Sequence, residues 1–108
     1  MAKARVVLVT APNEKEARTI ARKVVKKRLA ACVNIVPGLT SIYRWEGKIE
    51  QDEEVLMLIK TTKKRLVKLE KTVKKLHSYE VPEFVVLKIE SGSDDYLKWL
   101  RKSVKGRD

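Results

Sequence analysis

The chain has 108 residues, a formal net charge of +11, 36% charged residues and one cysteine. This length predicts one domain, residues 1–108, built around a single core. The lone cysteine excludes an internal disulfide, and no apolar run reaches the roughly 20 residues that span a bilayer, so no membrane partner is expected. Residues 1–10 predict a strand and not a signal peptide, which favours a cytoplasmic protein.

The excess positive charge lies in two segments with helical patterns. Residues 13–30 carry seven Lys/Arg against two Glu, and residues 63–77 carry seven against one. The basic residues occupy faces turned away from the core, which is typical of a solvated helix surface. The high charge content also fits a heat-tolerant or engineered protein.

The first two predicted elements are a strand and a helix. The valine-rich run Arg5–Thr10 predicts the strand. Asn13 is a suitable N-cap for the helix, with Glu16 at the capping-box position. Apolar residues then recur at helical spacing along one stripe, at Ala17, Ile20, Ala21, Val24, Val25 and Leu29.

A long hairpin follows the first helix. Its first strand begins at residues 31–36, continues through a bulge at Pro37-Gly38 and ends at a Glu46-Gly47 turn. The return strand covers residues 48–60. Thirteen residues at about 3.3 Å each give an arm of roughly 43 Å, whereas a 17-residue helix spans only about 26 Å. The hairpin tip is therefore expected to project beyond its own subunit.

The last part of the chain completes an α+β pattern. Residues 62–76 predict a helix, residues 77–83 an ordered loop, residues 84–89 a strand and residues 94–104 a short helix. The order β-α-β-β-α-β plus a C-terminal helix is that of the ferredoxin-like fold, in which two helices cover one face of an antiparallel sheet.

The predicted strands are apolar on both faces. Val6–Val9, Val55–Ile59 and Phe84–Leu87 are apolar at consecutive positions, whereas a half-solvated antiparallel strand alternates apolar with polar residues. The short terminal helix is too small to cover the second face. A symmetric oligomer is therefore predicted, and the tip residues Ile42, Tyr43 and Trp45 are predicted to lie at the subunit interface.

Six phrases in order resemble the CutA family: Thr10-Ala11-Pro12, LAACVNIVPG (29–38), SIYRWEGK (41–48), EVLMLIKT (54–61), HSYEVPE (77–83) and YLKWL (96–100). The resemblance covers nearly the whole chain. It implies a ferredoxin-like subunit, a homotrimer similar to the PII signalling proteins, and a non-enzymatic role in divalent-cation tolerance associated with copper.

The resemblance also implies a candidate metal site. Copper-binding members have a Cys directly before Thr-Ala-Pro and two adjacent His residues before the loop. Here Val9 and Leu76 stand at two of those three positions, and His77 alone matches. We therefore expect no required cofactor and only weak Cu²⁺ binding, with His77 and Glu83 as candidate ligands. The alternative is that His77 caps the helix end and bonds to the loop.

Three further features have two interpretations each. Cys32 lies between apolar neighbours, which favours a core thiol over a reactive site. The acidic residues within 46–54 form either a cation site or a solvated or intersubunit surface. Four aromatic residues either line a small-molecule crevice between subunits, as in a PII-like regulator, or pack at the seam: Tyr43, Trp45, Tyr79 and Trp99.

Two other function classes find less support in the sequence. The sequence contains no hydrolase, zinc-protease or phosphate-loop motif, so we do not expect an enzyme. The net positive charge suggests a nucleic-acid-binding module as the weaker alternative function. However, Val6–Val9 and Val55–Ile59 lack the aromatic residues on which an RNA-recognition sheet stacks bases, which argues against nucleic acid as a partner.

Overall fold

A computed structural model describes residues 2–106. The elements in chain order are β1 (Ala4–Ala11), α1 (Glu14–Lys26), β2 (Cys32–Trp45), β3 (Lys48–Thr62), α2 (Leu66–Leu76), β4 (Val85–Lys88) and α3 (Asp94–Ser103). A 3₁₀ turn at Lys63–Arg65, which the sequence did not predict, precedes α2. The four strands form one antiparallel sheet in the order β2-β3-β1-β4. The predicted ferredoxin-like α+β fold is confirmed.

Side-chain caps fix the starts of α1 and α3. The Asn13 side chain accepts a hydrogen bond of 2.8 Å from the backbone N–H of Glu16. Ser93 accepts one of 3.2 Å from the N–H of Tyr96. Each cap satisfies a backbone donor that the first helical turn leaves unpaired, which is why these residue types mark where the helices begin.

The hairpin of β2 and β3 has the predicted irregularities. Its register shifts between Val36 and Leu39, which places the bulge at Pro37-Gly38. Glu46 and Gly47 turn the chain with φ angles of 49° and 78°, and glycine adopts such positive values without strain. Beyond the bulge the arm is solvent-exposed, with Ile42 67% exposed, and the longest dimension of the molecule is 44 Å.

The main core lies between one face of the sheet and helices α1 and α2. The helices contribute fully buried residues at the predicted spacing, and the strands contribute alternate residues. The principal members are Ile20, Val24, Leu69, Val73, Val7, Val9, Met57 and Ile59. This layer buries one face of β1 and of the inner half of β3, and it partly buries Val33 and Ile35 of β2.

The second face of the sheet is only partly covered. Helix α3 packs over one end of it, where Ala4, Ala31, Leu100 and Val104 form a separate small cluster. Apart from Asn34 and Lys60, the rest of the face is mostly apolar and partly or largely exposed, with Leu87 46% and Val85 45% exposed. Strand alternation and the pairing register place seven apolar residues on this face, and we call them the second-face patch. They are Val6, Leu8, Val36, Leu56, Leu58, Val85 and Leu87.

Cys32 does not occupy the predicted core position in the subunit. It pairs with Lys60 at the start of β2, which places its side chain on the second face, opposite the α1 and α2 layer. The thiol is partly exposed, and its sulfur lies 3.7 Å from the Asn34 side-chain oxygen. The apolar neighbours along the sequence did not reveal this, because adjacent strand residues point to opposite faces.

Two substitutions on α2 test the assignment of the core. Leu69 is fully buried, whereas Val67 on the same helix is 70% exposed. We expect Leu69→Ala to lower the free energy of unfolding by about 2–5 kcal/mol, since it removes buried methyl groups and leaves a cavity. Val67→Ala should change it by less than about 0.5 kcal/mol. Urea unfolding followed by circular dichroism measures both, and equal effects would contradict this assignment.

Candidate functional site

A groove of about 780 Å³ lies between the hairpin arm and the loop that follows α2. Thirteen residues line it: Thr10, Thr40, Ser41, Ile42, Tyr43, Trp45, Asp52, Glu54, Tyr79, Glu80, Val81, Pro82 and Glu83. The strands supply one wall and the loop supplies the other. Three of the lining residues are aromatic and four carry a carboxylate.

Two tyrosine–carboxylate hydrogen bonds organise the groove. The Tyr43 hydroxyl donates to Asp52 across the hairpin, and the Tyr79 hydroxyl donates to Glu54 over 2.9 Å. Glu54 is buried even though its side chain is charged. Because buried carboxylates need hydrogen-bond donors, the second of these bonds explains how Glu54 is tolerated at the base of the arm.

The pKa values of these groups follow from their contacts. The hydrogen bond to Asp52 raises the pKa of Tyr43 to about 12. Burial, and then the bond to Glu54, raise the pKa of Tyr79. Burial also raises the pKa of Glu83, with a further contribution from the negative charge of Glu54. The negative charge of Glu54 therefore disfavours the charged form of Glu83 across a partly desolvated space.

His77 is held inside the protein by both ring nitrogens. Its Nε2–H donates to the Thr10 carbonyl over 2.7 Å, and its Nδ1 accepts from the Tyr79 N–H over 3.0 Å. Because a carbonyl oxygen only accepts, this pair of bonds places a proton on Nε2 and makes Nδ1 the acceptor. The histidine thus ties the end of α2 to the end of β1, and its ring also contacts that of Tyr79 at 4.7 Å between centroids.

Glu16 supports the same junction from α1. Its Oε2 accepts 3.0 Å hydrogen bonds from both the N–H and the hydroxyl of Ser78. It also lies 3.4 Å from Nδ1 of His77. Three elements therefore meet at this histidine, which is the arrangement expected of a structural residue.

The predicted pair of metal ligands does not fit this geometry. Neither ring nitrogen of His77 has a free lone pair directed at an open position, because one nitrogen donates and the other accepts. Within residues 2–106 no group of three or more His, Cys, Asp or Glu side chains has the arrangement of a metal site. Glu83 instead lines the groove. Of the alternative interpretation, the bond between His77 and the loop is present. The other ring nitrogen donates to Thr10 on β1 and not to a carbonyl at the end of α2.

The groove contains most of the other residues singled out in the sequence. Ile42, Tyr43 and Trp45 line it from the arm, and Tyr79 lines it from the loop. Trp99 lies elsewhere, on α3, where its ring is 5.5 Å from that of Tyr96. The sequence identified the acidic and aromatic sets separately and did not show that they share one cavity.

Comparison with known proteins identifies the family. The family model described as "CutA1 divalent ion tolerance protein" matches residues 5–103. The chain belongs to the CutA family. A "Divalent-cation tolerance protein CutA" from Thermus thermophilus is 58% identical over 98 residues, which cover 91% of this chain and 95% of that protein. The human "Protein CutA" is 55% identical, and the match covers 87% of this chain but only 52% of the human protein.

Solved CutA structures have the same fold. The Thermus thermophilus structure has a TM-score of 0.91 at 57% identity, covering 93% of this chain and 97% of that one. The Oryza sativa structure has a TM-score of 0.94 at 43% identity, covering 98% and 97%. None of the helices in residues 2–106 has the length and apolar character needed to cross a membrane.

Removing the His77 ring tests its role. His77→Ala leaves the Thr10 carbonyl and the Tyr79 N–H without these partners, and an unsatisfied buried polar group costs about 1–3 kcal/mol. We expect a lower free energy of unfolding in urea and an unchanged Cu²⁺ affinity by calorimetry. Lys75→Ala, at an exposed position on the same helix, is the control for both measurements. A loss of Cu²⁺ affinity with unchanged stability would make His77 a ligand.

Alkaline titration tests the Tyr43–Asp52 contact. Asp52→Asn removes the negative acceptor that favours the protonated phenol, so the pKa of Tyr43 should fall from about 12 toward its ordinary value of 10.0. The tyrosinate absorbance band measures this change, and Tyr43→Phe identifies which transition belongs to Tyr43. Identical titration curves for the wild type and Asp52→Asn would contradict the contact.

Proposed function

We propose that this protein is a non-enzymatic homotrimer that acts in divalent-cation tolerance. The family model and the Thermus thermophilus relative are named as divalent-ion or divalent-cation tolerance proteins. Neither name describes an enzyme. The observation that carries the proposal for this chain is the second-face patch, which leaves much of one side of the sheet apolar and uncovered in the subunit. A role that depends on assembly agrees with such a subunit.

The assembly follows from the cost of exposing that patch. Burying a Leu or Val side chain contributes roughly 1.5–3 kcal/mol, and large apolar patches on soluble proteins mark interaction sites. The arm adds exposed Ile42, Tyr43 and Trp45 next to the patch. Three copies related by a threefold axis turn their second faces toward one another, and each arm lies along a neighbour.

Weak Cu²⁺ binding stays a prediction, and we propose that no metal is required as a cofactor. The hydrogen bonds of His77 do not support that ring as the ligand. A cytoplasmic location is likewise our proposal. The names of relatives include a chloroplastic protein from Arabidopsis thaliana and a periplasmic one from Archaeoglobus fulgidus, so members of the family occupy several compartments.

One observation favours a second candidate function, that of a PII-like regulator which binds a small ligand. It is the groove between the arm and the loop, whose volume falls within the usual range for ligand sites. For nucleic acid the structure adds no support, because the second-face patch consists of aliphatic residues without a base-stacking ring.

A charge introduced into the second-face patch tests the assembly. Leu87 is already 46% exposed in the subunit, so Leu87→Lys should allow the subunit to fold. In the trimer the same lysine would be buried without a partner, which costs several kcal/mol. We expect light scattering to give about three times the 12.4 kDa chain mass for the wild type and a smaller mass for the variant.

Val67→Lys is the matched control, because Val67 is exposed on α2, on the opposite side of the subunit. It should leave the mass of the assembly unchanged. A wild-type protein that is monomeric at micromolar concentration would contradict the proposed trimer, as would an unchanged mass for Leu87→Lys.

A further inference from the structure

One arginine is almost completely buried near an end of the sheet. Arg5, in β1, is only 8% exposed. Strand alternation places it on the same face as Val7 and Val9, which is the face that carries α1 and α2. This is the side opposite the second-face patch. Because burying a charged group is costly unless the charge is compensated, the surroundings of Arg5 should contain an anion.

The neighbouring strand supplies a second positive charge instead. Lys88 of β4 is paired directly with Arg5, and directly opposed residues lie on the same face of a sheet, where like charges are destabilising. The partner on the other side is Thr61 of β3, whose hydroxyl donates to the Leu29 carbonyl over 2.7 Å. Strand pairing therefore brings two cations together without a carboxylate between them.

No carboxylate elsewhere in the described part of the chain neutralises this pair. The ion pairs found within residues 2–106 involve neither Arg5 nor Lys88. The chain continues from this end of β3 into the 3₁₀ turn, where the Lys63 N–H bonds to the Lys3 carbonyl. That turn and the first turn of α2 contain no acidic residue. Since buried charges in proteins are normally paired, an anion from outside the subunit fits here.

The guanidinium group has donors left for such an anion. Its Nη1 donates a 2.8 Å hydrogen bond to the Ala4 carbonyl, and an arginine has five N–H donors. Among the described residues that are at least partly buried, no enclosed side-chain nitrogen lacks a partner. Any nitrogen of Arg5 without a partner therefore still reaches solvent, from which an ion can approach. A planar guanidinium can bind two oxygens of a phosphate at once.

We propose that Arg5 and Lys88 bind an inorganic phosphate ion at this end of the sheet. The ion supplies the missing negative charge, and a compact ion suits a guanidinium group that is mostly enclosed. Its binding offsets the repulsion between the two cations and stabilises the native state as the site fills. Neither the arm nor the second-face patch contributes a residue, so the proposal is independent of the trimer and of the tolerance role.

Calorimetric titration of the full chain with inorganic phosphate tests the proposal. Sodium chloride keeps the ionic strength constant, so that general screening is equal throughout. We expect one phosphate per subunit and a Tm that rises with phosphate concentration. Arg5→Met should abolish both effects. Lys88→Gln should weaken phosphate binding about tenfold, which is the size of one charge-assisted hydrogen bond.

Arg22→Met is the matched control, because it makes the same substitution and the same change of net charge at an exposed position on α1. It should bind phosphate as the wild type does. Circular dichroism checks that Arg5→Met folds. If that variant does not fold, Lys88→Gln decides the test, since Lys88 is exposed and its substitution should leave the fold intact.

Glycerol 3-phosphate distinguishes a free ion from the phosphate group of a larger molecule, and we expect the ester to bind more weakly than phosphate. The proposal is overturned if phosphate shows no saturable binding or if the ester binds more tightly. It is also overturned if Lys88→Gln binds phosphate as the wild type does, or if Arg22→Met weakens binding as much as Arg5→Met.

Discussion

The structure depends on one constraint, which is that the sheet is apolar on both faces while the chain supplies helices for only one of them. Helices α1 and α2 bury alternate residues of β1 and of the inner half of β3, and α3 reaches only one end of the opposite face. The remaining Leu and Val side chains are left partly in water. Since the hydrophobic effect scales with apolar area, covering this face in the proposed trimer would stabilise the native state.

The hairpin arm connects that constraint to the groove. Beyond the bulge at Pro37-Gly38 the arm leaves the body of the subunit, and the same segment carries both its exposed apolar residues and its tyrosine–carboxylate pair. The arm places Tyr43 and Asp52 in the same groove as the loop residues Tyr79 and Glu83. One element therefore carries exposed apolar residues and one wall of the groove.

The sequence predicts what depends on local pattern and misses what depends on register and on distant partners. The N-cap at Asn13 and the turn at Glu46-Gly47 are local signals, and both are confirmed. The role of His77 depends on Thr10, which lies 67 positions away. The second-face position of Cys32 depends on its pairing with Lys60. Pairing of Glu54 with Tyr79 joins residues 25 positions apart, so neither composition nor periodicity could place acidic and aromatic residues in one groove.

Hydroxyl-radical footprinting of the native protein tests the central claim most directly, because it reads side-chain exposure without altering the chain. Leu87 is 46% exposed in the subunit, and Val67 on α2 is 70% exposed, so the two residues provide an internal comparison. If copies of the chain cover the second face, Val67 is oxidised readily while Leu87 and Val85 are protected far more than their exposure in the subunit implies. Oxidation of Leu87 at a rate in proportion to that exposure would show that the second face is open to water, and it would contradict the account.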